Sequence, residues 1–281
     1  MKSFKMKALA VAVLGLAGLG VMGSAMAVCP VANTTKGTIT PGGGGAWTSQ
    51  FIATDATLDI PAAGPGLNGT ACALSVSIGA LSNSRVFVQD SSPQNEPRYR
   101  ARFYVSLANL FSSFTVSNQT GIVFRANDTT GPAAFTSDEL VMRIAGGGSV
   151  ATPAPTVRFF VSDSNPASGA TQVVAALPAS ATHVYRIEFD LQLGAAATSG
   201  TACNPTPATG GCFRYWVTDA AAASTDAAPT GSITVNNAAW SGAKTAFLGL
   251  TTGTGAYRTN HAGTVLILDE FDSRRQTFIG Q

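Results

Sequence analysis

Charge is scarce in this chain: only 11% of its residues are Asp, Glu, Lys or Arg. Beyond Lys7 the only lysines are Lys36 and Lys244, and the only histidines are His183 and His261. These shortages exclude whole classes of chemistry. A nucleic-acid or anionic-membrane partner needs a basic field, yet with residues 1–27 set aside the net charge is about −1. Zinc sites and metalloproteases need closely spaced Cys or His, and no C-x-x-C pair occurs. No G-x-S-x-G is present to raise a serine nucleophile on a strained turn. The glycine run "PGGGG" (41–45) is followed by no helix pattern and no Lys-Ser/Thr pair, so it reads as a flexible turn and not a phosphate loop.

What is there begins with an export leader. Lys2, Lys5 and Lys7 precede an apolar run from Ala8 to about Met22, and Ala25-Met26-Ala27 supplies a small-x-small cleavage site. Such a segment is a secretory signal peptide, removed after Ala27 and set aside from fold reasoning. The run is short and Gly-rich for a membrane anchor, so no membrane span is expected after cleavage. A lipid-modified Cys29 would want a small residue before it, and Val28 stands there. The remaining stretch, 28–281, is long enough for one large β-sandwich with an ample core.

The chain has four cysteines, and behind a leader they point to disulfides in an oxidising compartment. Cys203 and Cys212 bracket the turn-rich "NPTPATGG" between two strand-like runs, so a bridge there would staple a hairpin. Cys29 with Cys72 follows as the second pair.

Period-two alternation dominates from Tyr99 onward. In "YRARFYVSL" Tyr99, Ala101, Phe103, Val105 and Leu107 share one face, and Arg100, Arg102, Tyr104 and Ser106 the other. "HVYRIEFDLQL" repeats the pattern, with Tyr185, Ile187, Phe189, Leu191 and Leu193 opposite Arg186, Glu188, Asp190 and Gln192. Shorter strands are expected over 121–127, 139–145, 156–163, 212–219 and 245–252, and weaker ones between 28 and 83. Gly, Pro, Asn and Ser clusters between them read as loops, and a short helix is expected over 238–244 or 106–111. Many short strands with turns between them predict an all-β, two-sheet antiparallel sandwich as a single domain.

In "TVLILDEFD" the residues Val265, Leu266, Ile267 and Leu268 are apolar at consecutive positions, so both faces of that strand must be covered. Asp269 then alternates onto the face of Ile267 and Phe271. A closing Gly, apolar strand and "DE" resembles the last strand of concanavalin A-like jelly rolls of the laminin-G and pentraxin type. The order of "YRARFYV", "HVYRIEFD", "CFRYWVTD" and "AFLGLTTG" before it fits the same family, over roughly 46–281. The resemblance implies a curved jelly roll that often binds glycans, sometimes with calcium, and in some branches hydrolyses β-glucans. No cofactor is expected here, because no Asp-rich D-x-D-x-D-G run marks calcium. The family's Asp-Gly hairpin end is replaced by Asp219-Ala220. Asp269 is expected to bond backbone or an arginine, and Glu270 to pair with Arg274 or Arg275.

The residues that invite a chemical reading lie on the polar faces. Laminarinase-type retaining glucanases carry E-x-D-x-E on one strand, needing two carboxyl groups about 5–5.5 Å apart. Here "EFDLQ" offers Glu188 and Asp190 but ends in Gln192, which cannot act as an acid, so no catalytic residue is assigned. Arg100, Arg102 and Tyr104, Arg158 and Phe160, Arg186, Glu188 and Asp190, and Arg214 and Trp216 would mix guanidiniums, carboxylates and rings if their strands share a sheet. That mixture binds sugars, and it equally builds a ladder of salt bridges and cation–π pairs that needs no ligand. The late loop "TTGTGAYRTNHAG" adds Tyr257, Arg258, Asn260 and His261. The expectation is an exported, non-catalytic domain, periplasmic, secreted or at the cell surface, binding an extracellular ligand, foremost a glycan. The alternative is an adhesive or structural protein with a surface-protein partner, and the third a laminarinase-type hydrolase.

Overall fold

The computed structural model describes residues 47–59, 66–67, 73–91, 93, 96–128, 138–162, 170–194, 203, 210–274 and 279. The leader, Cys29 and Cys72 lie outside them. In chain order the strands are β1 (Ser49–Ile52), β2 (Thr57–Asp59), β3 (Leu74–Ser77), β4 (Val86–Asp90), β5 (Arg98–Ser106), β6 (Thr120–Asn127), β7 (Asp138–Ala145) and β8 (Thr156–Ser162). They continue with β9 (Ala170–Ala176), β10 (Val184–Gln192), β11 (Gly211–Asp219), β12 (Gly231–Val235), β13 (Thr245–Gly253), the helix α1 (Gly255–His261) and β14 (Leu266–Arg274).

Two antiparallel seven-stranded sheets result, the first in the order β1-β4-β13-β6-β7-β8-β9 and the second β12-β11-β10-β5-β14-β3-β2. This is the two-sheet antiparallel sandwich that the alternation predicts. Register shows why it forms: Phe103 lies opposite Ile187 and Ala101 opposite Phe189, so the apolar faces of β5 and β10 coincide. Across the gap Phe124 of the first sheet meets Phe189 at 4.8 Å, and Phe159 meets Phe213 at 5.2 Å. Each such ring contributes about 2–3 kcal/mol by leaving water.

The Cys203–Cys212 disulfide forms as expected, tying the segment before β11 to that strand. Three strands that the sequence reading passed over, β4, β9 and β12, complete the sheets. The helix is not where it was expected. In place of one over 106–111, the amides of Leu110 and Phe111 both turn back onto the Leu107 carbonyl, and Trp240 bonds Asn237 in a similar turn within 238–244. Instead α1 follows β13, its N-terminus closed by Thr254, whose hydroxyl accepts from the Tyr257 amide, a cap that threonine suits.

Strand β14 carries its three carboxylates just beyond its apolar run. Leu266 and Leu268 enter the core, while Ile267 packs on the far side against Leu67 and Tyr104, so both faces are covered. Pairing with β5 then shifts between Asp269 and Asp272, and Glu270 adopts φ 47. This β-bulge inserts a residue and inverts the alternation. Phe271 therefore faces the core, 4.6 Å from Trp47 and 6.3 Å from Phe124, opposite to Ile267 and not beside it. Asp269 clamps the bulge, accepting the Glu270 and Leu67 amides at 2.7 Å each. Glu270 reaches Arg102 at 3.4 Å.

Candidate functional site

The outward face of the second sheet gathers most of the candidate residues. Across β5, β10 and β11 the register aligns Tyr104 with Arg186, Arg102 with Glu188 and Trp216, and Arg100 with Asp190 and Arg214. The strands are adjacent, and the mixture of charges and rings is real. The face, however, is not wet. Arg100, Tyr104, Arg186 and Glu188 are fully buried, and Asp190 and Trp216 nearly so.

A strap explains the burial. After Asp219 the chain turns, and residues 220–226 recross the face. Arg186 donates to the Ala222 carbonyl at 2.8 Å and the Ser224 hydroxyl at 2.7 Å. Trp216 Nε1 donates to the Thr225 carbonyl at 3.0 Å. Asp226 accepts from Arg100 at 2.8 Å and Arg214 at 3.2 Å. Further along, Leu67 and Ala220 cover Tyr104, and the Ile279 amide donates to Glu188 at 3.0 Å.

Beneath the strap Arg98, Arg100 and Arg214 meet carboxylates, whereas Arg186 is held, among the described residues, by the Ala222 carbonyl and Ser224 hydroxyl alone. Asp190 accepts two bonds from Arg98, at 2.9 and 2.8 Å, and one from Arg214 at 2.8 Å. Glu188 holds Arg100 Nε at 2.8 Å. Burial favours the neutral form of Asp190, but the bonds from Arg98 and Arg214 outweigh it and hold the carboxyl below its ordinary value. Arg98 is raised in turn, chiefly by its bond to Asp190. Trp216 lies beneath two guanidiniums, 4.7 Å from Arg100 and 5.1 Å from Arg214. Glu188 and Asp190 are thus engaged by arginines and buried under the strap, where the two carboxyl groups of a retaining glucanase would need open access to a sugar.

The late-loop residues belong to α1 and its packing. Tyr257 is fully buried in the core, 5.9 Å from Phe114. Arg258 bonds the Gly253 carbonyl, Asn260 bonds the Ala256 carbonyl at 2.8 Å, and His261 lies edge-on to Phe114 at 5.4 Å.

Arg158 and Phe160 separate from the other candidates, because β8 belongs to the first sheet. On the outward face of that sheet one row across the strands reads Ile122, Arg143, Arg158 and Val174, and the next reads Arg125, Val141, Phe160 and Gln172. The guanidinium of Arg143 lies 4.1 Å over the Phe160 ring, and among the described residues Arg158 makes a single long contact, 3.4 Å, to the Thr156 hydroxyl. Arg125 pairs with Asp138 and bonds the Thr251 hydroxyl at 2.9 Å. Gln172 is exposed, Val174 half exposed, and Arg143, Arg158 and Phe160 partly so. Toward the β1 edge the face becomes aromatic: Phe87 stacks on Phe51 at 5.6 Å and meets Phe247 at 5.3 Å, with Arg85 4.4 Å over Phe51.

These arginines act on one another. Burial first, then the Arg125 charge, lowers the pKa of Arg143, and Arg158 adds to it. Burial also lowers Arg125. Asp138 is pushed up to about 6 because burial outweighs the pull of Arg125. The sequence reading missed Arg125, Arg143 and Gln172. Each arginine sits singly in a nearly continuous apolar run, "GIVFRAN" and "ELVMRIA", where no alternation marks a polar face. A lone guanidinium in such a run was the available signal.

At the start of β7, Glu139 is 1% exposed and neither carboxylate oxygen has a hydrogen bond of good geometry. Burial and then the Asp128 charge push it up to about 8, offset only in part by the Gly242 amide and Lys244. Among the described residues no three His, Cys, Asp or Glu side chains gather where they could hold a metal ion. No described helix is long and apolar enough to cross a membrane.

No family model and no curated protein sequence matches the chain. Solved structures do. An endo-β-1,4-glucuronan lyase from the fungus Trichoderma reesei superposes with a TM-score of 0.50 at 12% identity, covering 82% of this chain and 91% of that one. The receptor-binding domain of botulinum neurotoxin type G gives 0.41 at 9% identity, over 82% of this chain and 43% of that one. The alginate lyase vAL-1 from a Chlorella virus gives 0.39 at 11%, over 83% and 94%. At 12% identity the likeness to the glucuronan lyase is one of fold.

Proposed function

We propose that this protein is an exported β-sandwich that binds a glycan on the outward face of its first sheet, around Arg143, Arg158, Phe160 and Gln172. The observation that carries the reading is the contrast between the two outward faces. On the second sheet the charges and rings are closed beneath the strap. On the first, a ring, two guanidiniums and an amide stand partly open to solvent on three neighbouring strands, β7 to β9. Sugars bind to such surfaces by laying apolar ring faces on aromatics and hydrogen-bonding through hydroxyls. The glucuronan lyase that shares the fold is named for a polysaccharide, which agrees with a glycan partner. The disulfide fits a compartment outside the cytoplasm.

Binding is favoured over cleavage. Hydrolysis or elimination needs a side chain placed to give or take a proton, and the two rows around this pair contain no His, Tyr, Lys, Asp or Glu, the adjacent Asp138 being engaged by Arg125. A glycan array followed by calorimetry on the exported protein tests the reading. Specific binding that weakens in Phe160→Ala and Gln172→Ala supports it, and a folded protein that binds no glycan refutes it.

A second reading rests on β9. This seven-residue strand ends its sheet, carries no charge or proline, and has no described strand on its outer edge. Open edges of that kind recruit further strands, as an adhesive protein would require. Sedimentation showing concentration-dependent association, abolished by Val174→Lys, would favour it.

A further inference from the structure

The register sets Arg143 directly opposite Arg158 on neighbouring antiparallel strands. Like charges in that position repel and destabilise the pairing. On the second sheet the chain meets the same difficulty with carboxylates: Asp190 joins Arg98 and Arg214, Glu188 holds Arg100, and Glu270 holds Arg102. On the first sheet no described carboxylate lies within ion-pair distance of Arg143 or Arg158, and Arg143 Nε has no hydrogen-bond partner. Asp138 is already engaged by Arg125. A local conflict in an otherwise consistent sheet is where function is expected.

We propose that the Arg143–Arg158 pair is a subsite for the anionic group, carboxylate or sulfate, of an acidic polysaccharide. The inference rests on the glycan-binding reading of this face and names the class of glycan. Paired strands lie about 4.8 Å apart, so two guanidiniums on opposed residues can bracket one anionic group with charge-assisted hydrogen bonds. Phe160, beneath Arg143 at 4.1 Å, steadies that guanidinium and offers an apolar surface beside it. Gln172, across from Phe160 on β9, is placed for sugar hydroxyls. A nucleic acid is the poorer fit, because a phosphate backbone is held by a long track of cations and this chain is close to neutral without its leader.

The test is calorimetric titration of the exported protein with alginate, dextran sulfate, laminarin and single-stranded DNA, repeated on Arg143→Gln and Arg158→Gln. The expected result is binding of alginate or dextran sulfate at least about tenfold tighter than laminarin, with each variant weakening it about tenfold. The preferred polymer identifies the group as carboxylate or sulfate. Because repulsion is relieved, both variants should melt no lower than the parent, which a purely structural pair would not allow. Laminarin bound as tightly as the acidic polymers, with the variants unaffected, overturns the subsite while leaving the glycan-binding face in place. A folded protein that binds no polysaccharide overturns both. DNA bound as tightly as the acidic polymers and lost in the same variants overturns the assignment to a polysaccharide. So does a fall of several degrees in both melting temperatures.

Discussion

Replacing Asp190 with Asn tests whether the covered face of the second sheet is architecture. Asp190 is 1% exposed and accepts bonds from Arg98 and Arg214, with Arg100 a further 3.6 Å away. The amide keeps the shape but removes the charge and turns a donor group toward the guanidiniums. Breaking a buried pair by removing one partner costs about 3–5 kcal/mol. Arg98 retains some access to solvent and Arg214 keeps Asp226, so the lower end, about 3 kcal/mol, applies. For a chain of this size that lowers the melting temperature by roughly 6–12 °C. Asp226→Asn is the control, since that carboxylate is 52% exposed and its loss should cost about 1 kcal/mol or less. The pH dependence supplies a second check. Burial opposes the charge of Asp190, but its arginines hold the folded pKa below the ordinary 3.8. Its stabilisation is therefore present above about pH 4 and fades as pH falls through the depressed value, so parent and variant should converge in acid. Thermal melts from pH 3 to 7, with glycan titrations at 25 °C, decide the matter. An unchanged melting temperature in Asp190→Asn, or loss of glycan binding in a variant that stays folded, would refute the structural assignment.

Three further outcomes are expected. Glu139→Gln should stabilise the protein by about 4 kcal/mol at pH 8 and leave it nearly unchanged at pH 4. Its carboxyl rises from 4.5 to about 8 on folding, so stability in the parent declines as pH rises across that window, and guanidinium denaturation at the two pH values measures the difference. Asp138 loses its charge as pH falls through about 6, leaving Arg125 and Arg143 less neutralised, so affinity for an acidic polysaccharide should rise across that range. Asp138→Asn should tighten binding at pH 7 and flatten the profile in calorimetry. Replacing Cys203 and Cys212 together with Ser opens a bridge of sequence separation 9 and should cost about 2–3 kcal/mol, read as a lower denaturant midpoint.

Alternation made the sandwich legible, because side-chain direction in a strand depends on parity alone. It assigned the apolar residues of β5 and β10 to one core without knowledge of their partners. It failed at Phe271, where a single inserted residue at Glu270 reversed the parity, an insertion seen in the register shift with β5 and the positive φ of Glu270. The strand β9 escaped because "ATQVVAA" has no clear polar face to alternate with.

What covers a face was less legible. Parity places Arg100, Arg102, Arg186 and Arg214 away from the core, but a strand cannot tell whether a later segment will cross it. A charge so covered must find a partner or lose stability, and that requirement was visible in the loop itself. In "AAAASTDAAPT" Asp226 is a lone acid among small uncharged residues. In the fold that acid, still 52% exposed, meets Arg100 and Arg214. The same test applied to the first sheet gives the opposite result. Among the described residues the β7–β8 loop, 146–155, contains no acid, and no carboxylate lies within ion-pair distance of Arg143 or Arg158. Their counter-charge is expected to come from outside the chain.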